Sequence, residues 1–167
     1  YTGISRNIKF TYFLEKILNK TVDDASMHHL LKQLNYEVER LLENCEIAQG
    51  LDVLREKTKD SNWMIVSGGD QEEIIRLFTR KNLLKYFDVG IFGSPDSKED
   101  IVSRELKKRT GQRPALFIGD SKYDFQVAKK NNLDFIFLSD WTNFSEWKSF
   151  CAENKIEIYR KLDDLNH

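Results

Sequence analysis

Three groups of polar residues in this sequence each follow a short apolar run, and together they supply a hydroxyl, an ammonium and two carboxylates. Ser67–Gly69 follows the first run, Lys98 follows the second, and Asp120 and Asp124 follow the third. A hydroxyl can bind a phosphate, an ammonium can neutralise it, and paired carboxylates can hold a hard cation beside it. The combination indicates chemistry on a phosphorylated substrate more strongly than any single group does.

The first group combines the hydroxyl of Ser67 with Gly68 and Gly69. Glycines let the backbone approach an anion closely, and free N–H groups at the start of a helix form a cradle for phosphate or carboxylate. Asp70 and Glu73 follow at the spacing of a capping box, which predicts a helix beginning near Asp70. The alternative is a strand-to-helix turn made of small residues.

The second group is Lys98, which lies in the first turn of a predicted helix. The positive end of the helix dipole disfavours a cation there unless the lysine neutralises a bound anion. The alternative is an exposed lysine in water.

The third group is Asp120 with Asp124, at the end of an apolar run and four residues on. Mg²⁺ favours one or two protein carboxylates together with phosphate oxygens and water, which predicts a magnesium site here. The alternative is helix capping, with Ser121 as the N-cap and Asp124 as the acid three residues later. Capping explains Asp124 but not Asp120.

The elements that position these groups are predicted strands separated by helices. Such buried runs between helices are typical of a parallel sheet, and ligands in these sheets bind beyond the carboxyl ends of the strands. All three groups fall on that edge. We therefore expect an α/β fold with a three-layer, Rossmann-like parallel sheet, whose strands are predicted at 63–66, 89–92, 115–118, 134–138 and 156–159.

The chain before residue 48 has a different pattern, because its apolar residues recur at helical spacing. Two amphipathic helices joined near residues 20–24 predict a helical hairpin over 1–47, and the α/β core then covers 48–167. A helix of this core is predicted from about Ser97 to Gly111.

The order of these motifs resembles the haloacid dehalogenase superfamily of phosphohydrolases. The match lies in Ile65-Val66-Ser67-Gly68, then Lys98, then Ile118-Gly119-Asp120-Ser121 with Asp124, and it covers roughly residues 48–140. The hairpin resembles the small helical cap of that family. The segment Gly93-Ser94-Pro95 ahead of Lys98 resembles the sequence at this place in the phosphoglycolate-phosphatase-like branch of the family.

The resemblance implies a role for each matched residue. Ser67 binds the phosphoryl group by its hydroxyl and a neighbouring amide, with Gly68 and Gly69 beside it. Lys98 pairs with the nucleophile and the phosphate, Asp120 binds Mg²⁺, and Asp124 supports the metal directly or through water. The implied activity is a Mg²⁺-dependent phosphatase of a small phosphorylated metabolite, such as a sugar phosphate or a phospho-acid.

The first motif of that family, Asp-x-Asp on the central strand, does not occur in these residues. The resemblance implies that its first aspartate is the nucleophile, which forms an aspartyl-phosphate. We expect this strand to precede Tyr1 in the parent protein, so that the core over 48–167 lacks its first strand. A non-catalytic scaffold or binding domain of the same fold is the alternative function.

Two further classes are less consistent with the sequence. A dehalogenase of the same superfamily needs no Mg²⁺, so the Asp120 and Asp124 pair argues against it. A receiver domain of two-component signalling needs an early acidic pair and a mid-chain phosphoacceptor aspartate, and neither is found.

Composition limits the partners. The 167 residues carry 26 Lys and Arg against 27 Asp and Glu, which gives a net charge of −1. There is therefore no excess of basic residues that would indicate binding to nucleic acid. No apolar run approaches the length of a membrane span. Cys45 and Cys151 lie far apart, which argues against a disulfide framework and favours the reducing cytoplasm.

The oligomeric state is not fixed by the sequence. The candidates for substrate selection are Arg6, Tyr12, Phe13 and Trp141.

Overall fold

The computed structural model describes residues 6–109 and 114–167. The helices are α1 (Arg6–Tyr12), α2 (Asp24–Glu43), α3 (Leu51–Lys57), α4 (Gln71–Arg80), α5 (Lys98–Lys107), α6 (Lys122–Lys130) and α7 (Trp147–Asn154). The strands are β1 (Met64–Asp70), β2 (Gly90–Ser94), β3 (Leu116–Gly119), β4 (Asp134–Leu138) and β5 (Glu157–Tyr159). The predicted start of the hairpin at residues 1–5 and the predicted helix end at Gly111 lie outside the described residues.

All five predicted strands are present, and the α/β class is confirmed. The strands form two parallel sheets, one of β1 and β2 and the other of β3, β4 and β5 in that order. Every strand pair in them is parallel. No β pairing joins the two sheets among the described residues.

The described residues divide into two compact units, and each is described by itself. The first unit holds the described residues up to Glu46 together with Trp63–Lys98. The second unit holds Ile47–Asn62 and the described residues of Glu99–His167. The predicted boundary between a cap over 1–47 and a core over 48–167 stays a prediction.

The first unit contains the helical hairpin and the β1-α4-β2 segment. A single turn of π-helix, Phe13–Ile17, extends α1, and α2 begins after Asp23, whose side chain accepts a hydrogen bond from the backbone of Ser26. No described residue of α2 is buried, so its apolar stripe is only partly covered. Leu77 and Ile91 are among the buried residues where α4 packs on the strands.

The second unit has the better-buried core. The interior of α5, α6, β4 and α7 includes fully or almost fully buried side chains. These are Ile101, Val102, Val127, Ala128, Phe137, Leu138 and Cys151. Phe137 also stacks on Trp147, with 5.9 Å between ring centroids, which fixes α7 against β4. This rigid frame holds the carboxyl end of β3.

Candidate active site

The segment Ser67–Gly69 forms a bulge at the carboxyl end of β1. Val66 lies opposite Phe92 and Asp70 lies opposite Ser94, so three residues of β1 face a single residue of β2. Such bulges re-aim side chains and occur often beside active sites. The sequence placed this segment at the start of a helix, whereas the structure places it within the irregular end of the strand. We refer to it as the Ser67–Gly69 bulge.

Gly93 makes room for this bulge. A Cβ atom at Gly93 would lie 2.5 Å from the backbone oxygen of Gly69 and 3.1 Å from the backbone nitrogen of Gln71. The Gly93 N–H donates a hydrogen bond to Oε1 of Gln71 at 3.2 Å. Gly93 is therefore required for the close approach of two backbone segments.

The Ser67 hydroxyl is oriented within the bulge. Its oxygen accepts a hydrogen bond from the Gly69 N–H at 3.0 Å. The sequence predicted free N–H groups here, and the Gly69 N–H is instead bound within the bulge. Because a hydroxyl both donates and accepts, the bond from Gly69 leaves the Ser67 proton to be donated elsewhere.

Helix α4 starts directly after the bulge with its predicted cap. The Asp70 side chain accepts a hydrogen bond from the Glu73 backbone N–H at 2.9 Å. The Glu73 carboxylate, however, bonds Arg6 on α1, with 2.5 Å between Oε2 and Nη1. Arg6 is thus a partner of the core helix α4.

Asp120 and Asp124 occupy the carboxyl end of β3. The Asp124 side chain is buried, and its Oδ2 accepts a hydrogen bond from the Ser121 hydroxyl at 2.7 Å. A Cβ atom at Gly119 would lie 2.6 Å from the Asp124 Cβ and 2.9 Å from its Oδ2. The glycine before Asp120 therefore allows the Asp124 carboxylate to press against the strand end.

The Ser121 cap anticipated as an alternative is present. The Ser121 hydroxyl oxygen accepts from the Asp124 backbone N–H at 3.1 Å, so Ser121 begins α6 as its N-cap. This contact does not engage Asp120, which is half-buried at the strand end. Next to Asp124, burial raises the pKa of the Tyr123 hydroxyl, and the charges of Glu99 and Asp100 raise it further.

A two-carboxylate site fits Mg²⁺ but not a metal that needs an all-protein cage. Within residues 6–109 and 114–167, no group of three or more His, Cys, Asp or Glu side chains could hold a metal ion. Mg²⁺ usually keeps several waters and binds through one or two carboxylates plus substrate phosphate. Asp120 and Asp124 supply donors of this kind, and their binding of Mg²⁺ stays a prediction.

Lys98 is the first residue of α5, as predicted. Further along that helix, Glu99 pairs with Lys130 of α6, and the Ser103 hydroxyl bonds Asn131 at 2.9 Å. Buried Glu105 lies in the last turn of α5. Cationic side chains bond its carboxylate, and they lower its pKa to about 2. These partners are Lys108, Arg109 and Arg104. Contacts to Lys130 and Asn131 therefore join α5 to the α6 segment, whereas the ion pairs of Glu105 stabilise the last turn locally.

Comparison with known proteins identifies the family. The model of haloacid dehalogenase-like hydrolases matches residues 4–138. The chain belongs to the haloacid dehalogenase-like hydrolases. The resemblance read from the motif order is confirmed, and so is the expectation that the chain is a hydrolase.

Several solved structures share the fold of this chain. A predicted phosphatase from Clostridium acetobutylicum has a TM-score of 0.69 and 20% identity, covering 98% of this chain and 76% of its own. A haloacid dehalogenase-like hydrolase from Streptococcus pneumoniae has a TM-score of 0.66 and 19% identity, covering 91% and 74%. L-2-haloacid dehalogenase from Xanthobacter autotrophicus has a TM-score of 0.53 and 15% identity, covering 96% and 81%.

Two further findings are negative. None of the curated proteins matches this hydrolase. In the part of the chain that the structure describes, no helix has both the length and the apolar character needed to cross a bilayer.

The structure describes the predicted site residues of this hydrolase in two groups. Ser67 and its two glycines lie in the first unit, and Asp120 and Asp124 lie in the second. Each group is locally ordered by hydrogen bonds, while their assembly with Lys98 into one site stays a prediction.

Sequence reasoning placed Gly93 and Gly119 at this edge of the sheet, but it did not predict the close approaches that the lack of a Cβ atom allows at both positions. The signal for both was a glycine at the end of an apolar run, directly before the polar residues. Among the residues considered for substrate selection, Tyr12 and Phe13 are exposed and Trp141 is 49% exposed. Beside Trp141, Asp140 pairs with Arg160 at 3.3 Å.

Proposed function

We propose that this hydrolase is a Mg²⁺-dependent phosphatase of a small phosphorylated metabolite, such as a sugar phosphate or a phospho-acid. The observation that carries the proposal is the buried Asp124 carboxylate, locked by Ser121 beside Asp120 at the end of β3. A dehalogenase has no need of such a carboxylate pair. The cytoplasm is the proposed location, and neither nucleic acid nor membrane is a proposed partner.

In this function each group has one task. The Ser67 hydroxyl donates a hydrogen bond to a phosphoryl oxygen, and the Lys98 ammonium stabilises negative charge on the phosphoryl group. Asp120 and Asp124 would hold Mg²⁺, which supplies a template and a positive charge for phosphoryl transfer. The nucleophile in this proposal is an aspartate from outside the 167 residues, because they contain no Asp-x-Asp.

The missing Asp-x-Asp is also what favours the second candidate, a non-catalytic scaffold of the same fold. A scaffold would keep the folded sheets and release no phosphate. The two candidates therefore differ in a measurable activity of the full-length protein.

The test is phosphate release from p-nitrophenyl phosphate and a panel of sugar phosphates and phospho-acids, with and without Mg²⁺. We expect Mg²⁺-dependent release by the full-length protein and a loss of about 100-fold in kcat for Asp120→Asn, the scale of losing one electrostatic group. The matched control is Asp134→Asn, an exposed aspartate at the amino end of the neighbouring strand β4. It should stay within twofold of the wild type.

Three results would contradict the proposal. Normal turnover by Asp120→Asn would exclude the metal role of that carboxylate. Metal-independent halide release from 2-haloacids would identify a dehalogenase. Absence of any hydrolysis by a folded full-length protein would favour the scaffold.

A further inference from the structure

Arg6 connects three elements of the first unit through its guanidinium group. Nη1 donates to Glu73 Oε2 of α4 at 2.5 Å, and Nη2 donates to Glu73 Oε1 at 3.2 Å. Nη1 also donates to Oδ1 of Asn35 on α2 at 2.5 Å. One side chain of α1 therefore holds the second hairpin helix and the start of α4 together.

The same guanidinium borders the Ser67–Gly69 bulge. A Cβ atom built at Gly69 would have Ser67 Oγ at 3.4 Å and Arg6 Nη2 at 3.8 Å among its nearest atoms. The proposed phosphate-binding hydroxyl and the Arg6 guanidinium thus flank the same residue of the bulge. Glu73 is linked to the bulge as well, since its N–H bonds Asp70, the residue after Gly69.

Burial distinguishes this pair, which joins α1 to α4, from the Arg80–Glu39 ion pair, which joins α4 to α2. The side chains of Arg6 and Glu73 are 16% and 4% exposed, whereas those of Arg80 and Glu39 are 43% and 35% exposed. A buried carboxylate needs its partner far more than an exposed one does, because water cannot replace the lost bonds. The planar fork of an arginine also fixes the direction of the carboxylate it binds.

We propose that Arg6 is a positioning residue for phosphoryl binding, which holds the Ser67–Gly69 bulge in register with the hairpin through Glu73 and Asn35. The proposal rests on the phosphatase function proposed above. In this proposal Arg6 acts through the bulge, where Ser67 Oγ accepts from the Gly69 N–H and the Ser67 proton is left for donation to a phosphoryl oxygen. The hairpin and the phosphate-binding hydroxyl are thereby mechanically linked.

The test replaces the charged fork by neutral groups of similar size. Arg6→Ala alone would leave Glu73 buried without its partner, and the chain could fail to fold. The double variant Arg6→Gln/Glu73→Gln avoids this, and Arg6→Lys keeps the charge but not the fork. The matched control is Arg80→Gln/Glu39→Gln, which removes the more exposed ion pair that joins α4 to α2.

Four quantities are measured on the full-length protein: the melting temperature, kcat and KM for Mg²⁺-dependent phosphate release, and the Kd of inorganic phosphate by calorimetry. We expect the Arg6→Gln/Glu73→Gln variant to stay folded, to lose at least tenfold in kcat/KM and to bind phosphate at least tenfold more weakly. Arg6→Lys should show the same direction of change, since charge alone does not restore the fork. The control should stay within twofold of the wild type in kcat, KM and Kd, and it should remain folded.

A folded Arg6→Gln/Glu73→Gln variant with wild-type phosphate affinity would overturn the proposal. So would full recovery by Arg6→Lys, because it would assign the effect to charge alone, or an equal loss in the control. Failure of the proposed phosphatase function can be distinguished from failure of the positioning role. If the wild type hydrolyses no phosphate ester but binds inorganic phosphate, a tenfold loss confined to the Arg6 variants still supports the positioning role.

Discussion

Replacing Gly119 by alanine tests whether the end of β3 is built around the Asp124 side chain. The new methyl carbon would lie 2.6 Å from the Asp124 Cβ and 2.8 Å from its Cγ. Non-bonded carbons are most stable at about 3.5 to 4.0 Å, so one group must move by about 1 Å. Asp124 has little room to move, because it is 2% exposed and bonded to Ser121.

The expected loss of unfolding free energy in Gly119→Ala has two parts. Overpacking a well-packed site costs about 1 to 3 kcal/mol. Losing the Ser121 hydrogen bond to a charged carboxylate costs about 1.5 to 3 kcal/mol, if the displaced Asp124 cannot keep it. We therefore expect Gly119→Ala to lower the free energy of unfolding by about 3 kcal/mol, or about 6 to 12 °C in Tm for a chain of this size.

The assay is thermal unfolding followed by circular dichroism, together with calorimetric titration of Mg²⁺. Gly69→Ala is the matched control for stability, because its new Cβ meets its nearest atoms at 3.4 Å, an ordinary contact distance. Its free energy of unfolding should change by about 1 kcal/mol or less. A Tm of Gly119→Ala within 2 °C of the wild type would refute the packing argument. A lower Tm with unchanged Mg²⁺ affinity would separate Asp124 from the metal.

Three further predictions concern the Ser67–Gly69 bulge, the dependence of stability on acidic pH, and the reactivity of the two thiols. Gly93→Ala should displace the Gly69 backbone oxygen and lower kcat by about 100-fold; wild-type kcat would contradict the required close approach. Glu105→Gln should cost about 1 to 2 kcal/mol at pH 7, discounted because the cationic partners are partly exposed. The folded pKa of Glu105 is about 2 against 4.5, so this difference in unfolding free energy should vanish as pH falls from 4.5 towards 2; a pH-independent difference would refute it. Exposed Cys45 should react with Ellman's reagent before buried Cys151, whose pKa is raised by burial; equal rates would contradict this.

The strands were predictable because each is a short apolar run between helices. β1 was predicted at 63–66 and spans Met64–Asp70, and β4 was predicted and found at Asp134–Leu138. Apolar periodicity reports burial along the chain, so it locates elements well. It does not report which strands pair, and the division of the strands into two sheets follows from pairing alone.

The bulge and the Arg6 pair were not predictable for the same reason. Whether Ser67–Gly69 stays in a regular ladder depends on the space at Gly93, which lies on another strand. Glu73 has the spacing of a capping box, and local rules direct its carboxylate back to the N-cap. In the structure that carboxylate accepts a hydrogen bond from Arg6, which lies 67 residues away in the sequence. Tertiary packing alone determines this partner.

The Ser121 cap and the proposed metal site, treated by the sequence as alternatives, are compatible in the structure. The cap bonds Oδ2 of Asp124 and the backbone N–H of the same residue, which fixes the direction of the whole carboxylate. Hydrogen bonds of this kind orient metal-binding carboxylates, and their loss typically weakens metal binding. Gly119 completes the arrangement by letting that carboxylate lie against the strand end beside Asp120. A helix cap that served only α6 would need neither the burial of Asp124 nor the glycine before Asp120, so both features favour a carboxylate held ready for a cation.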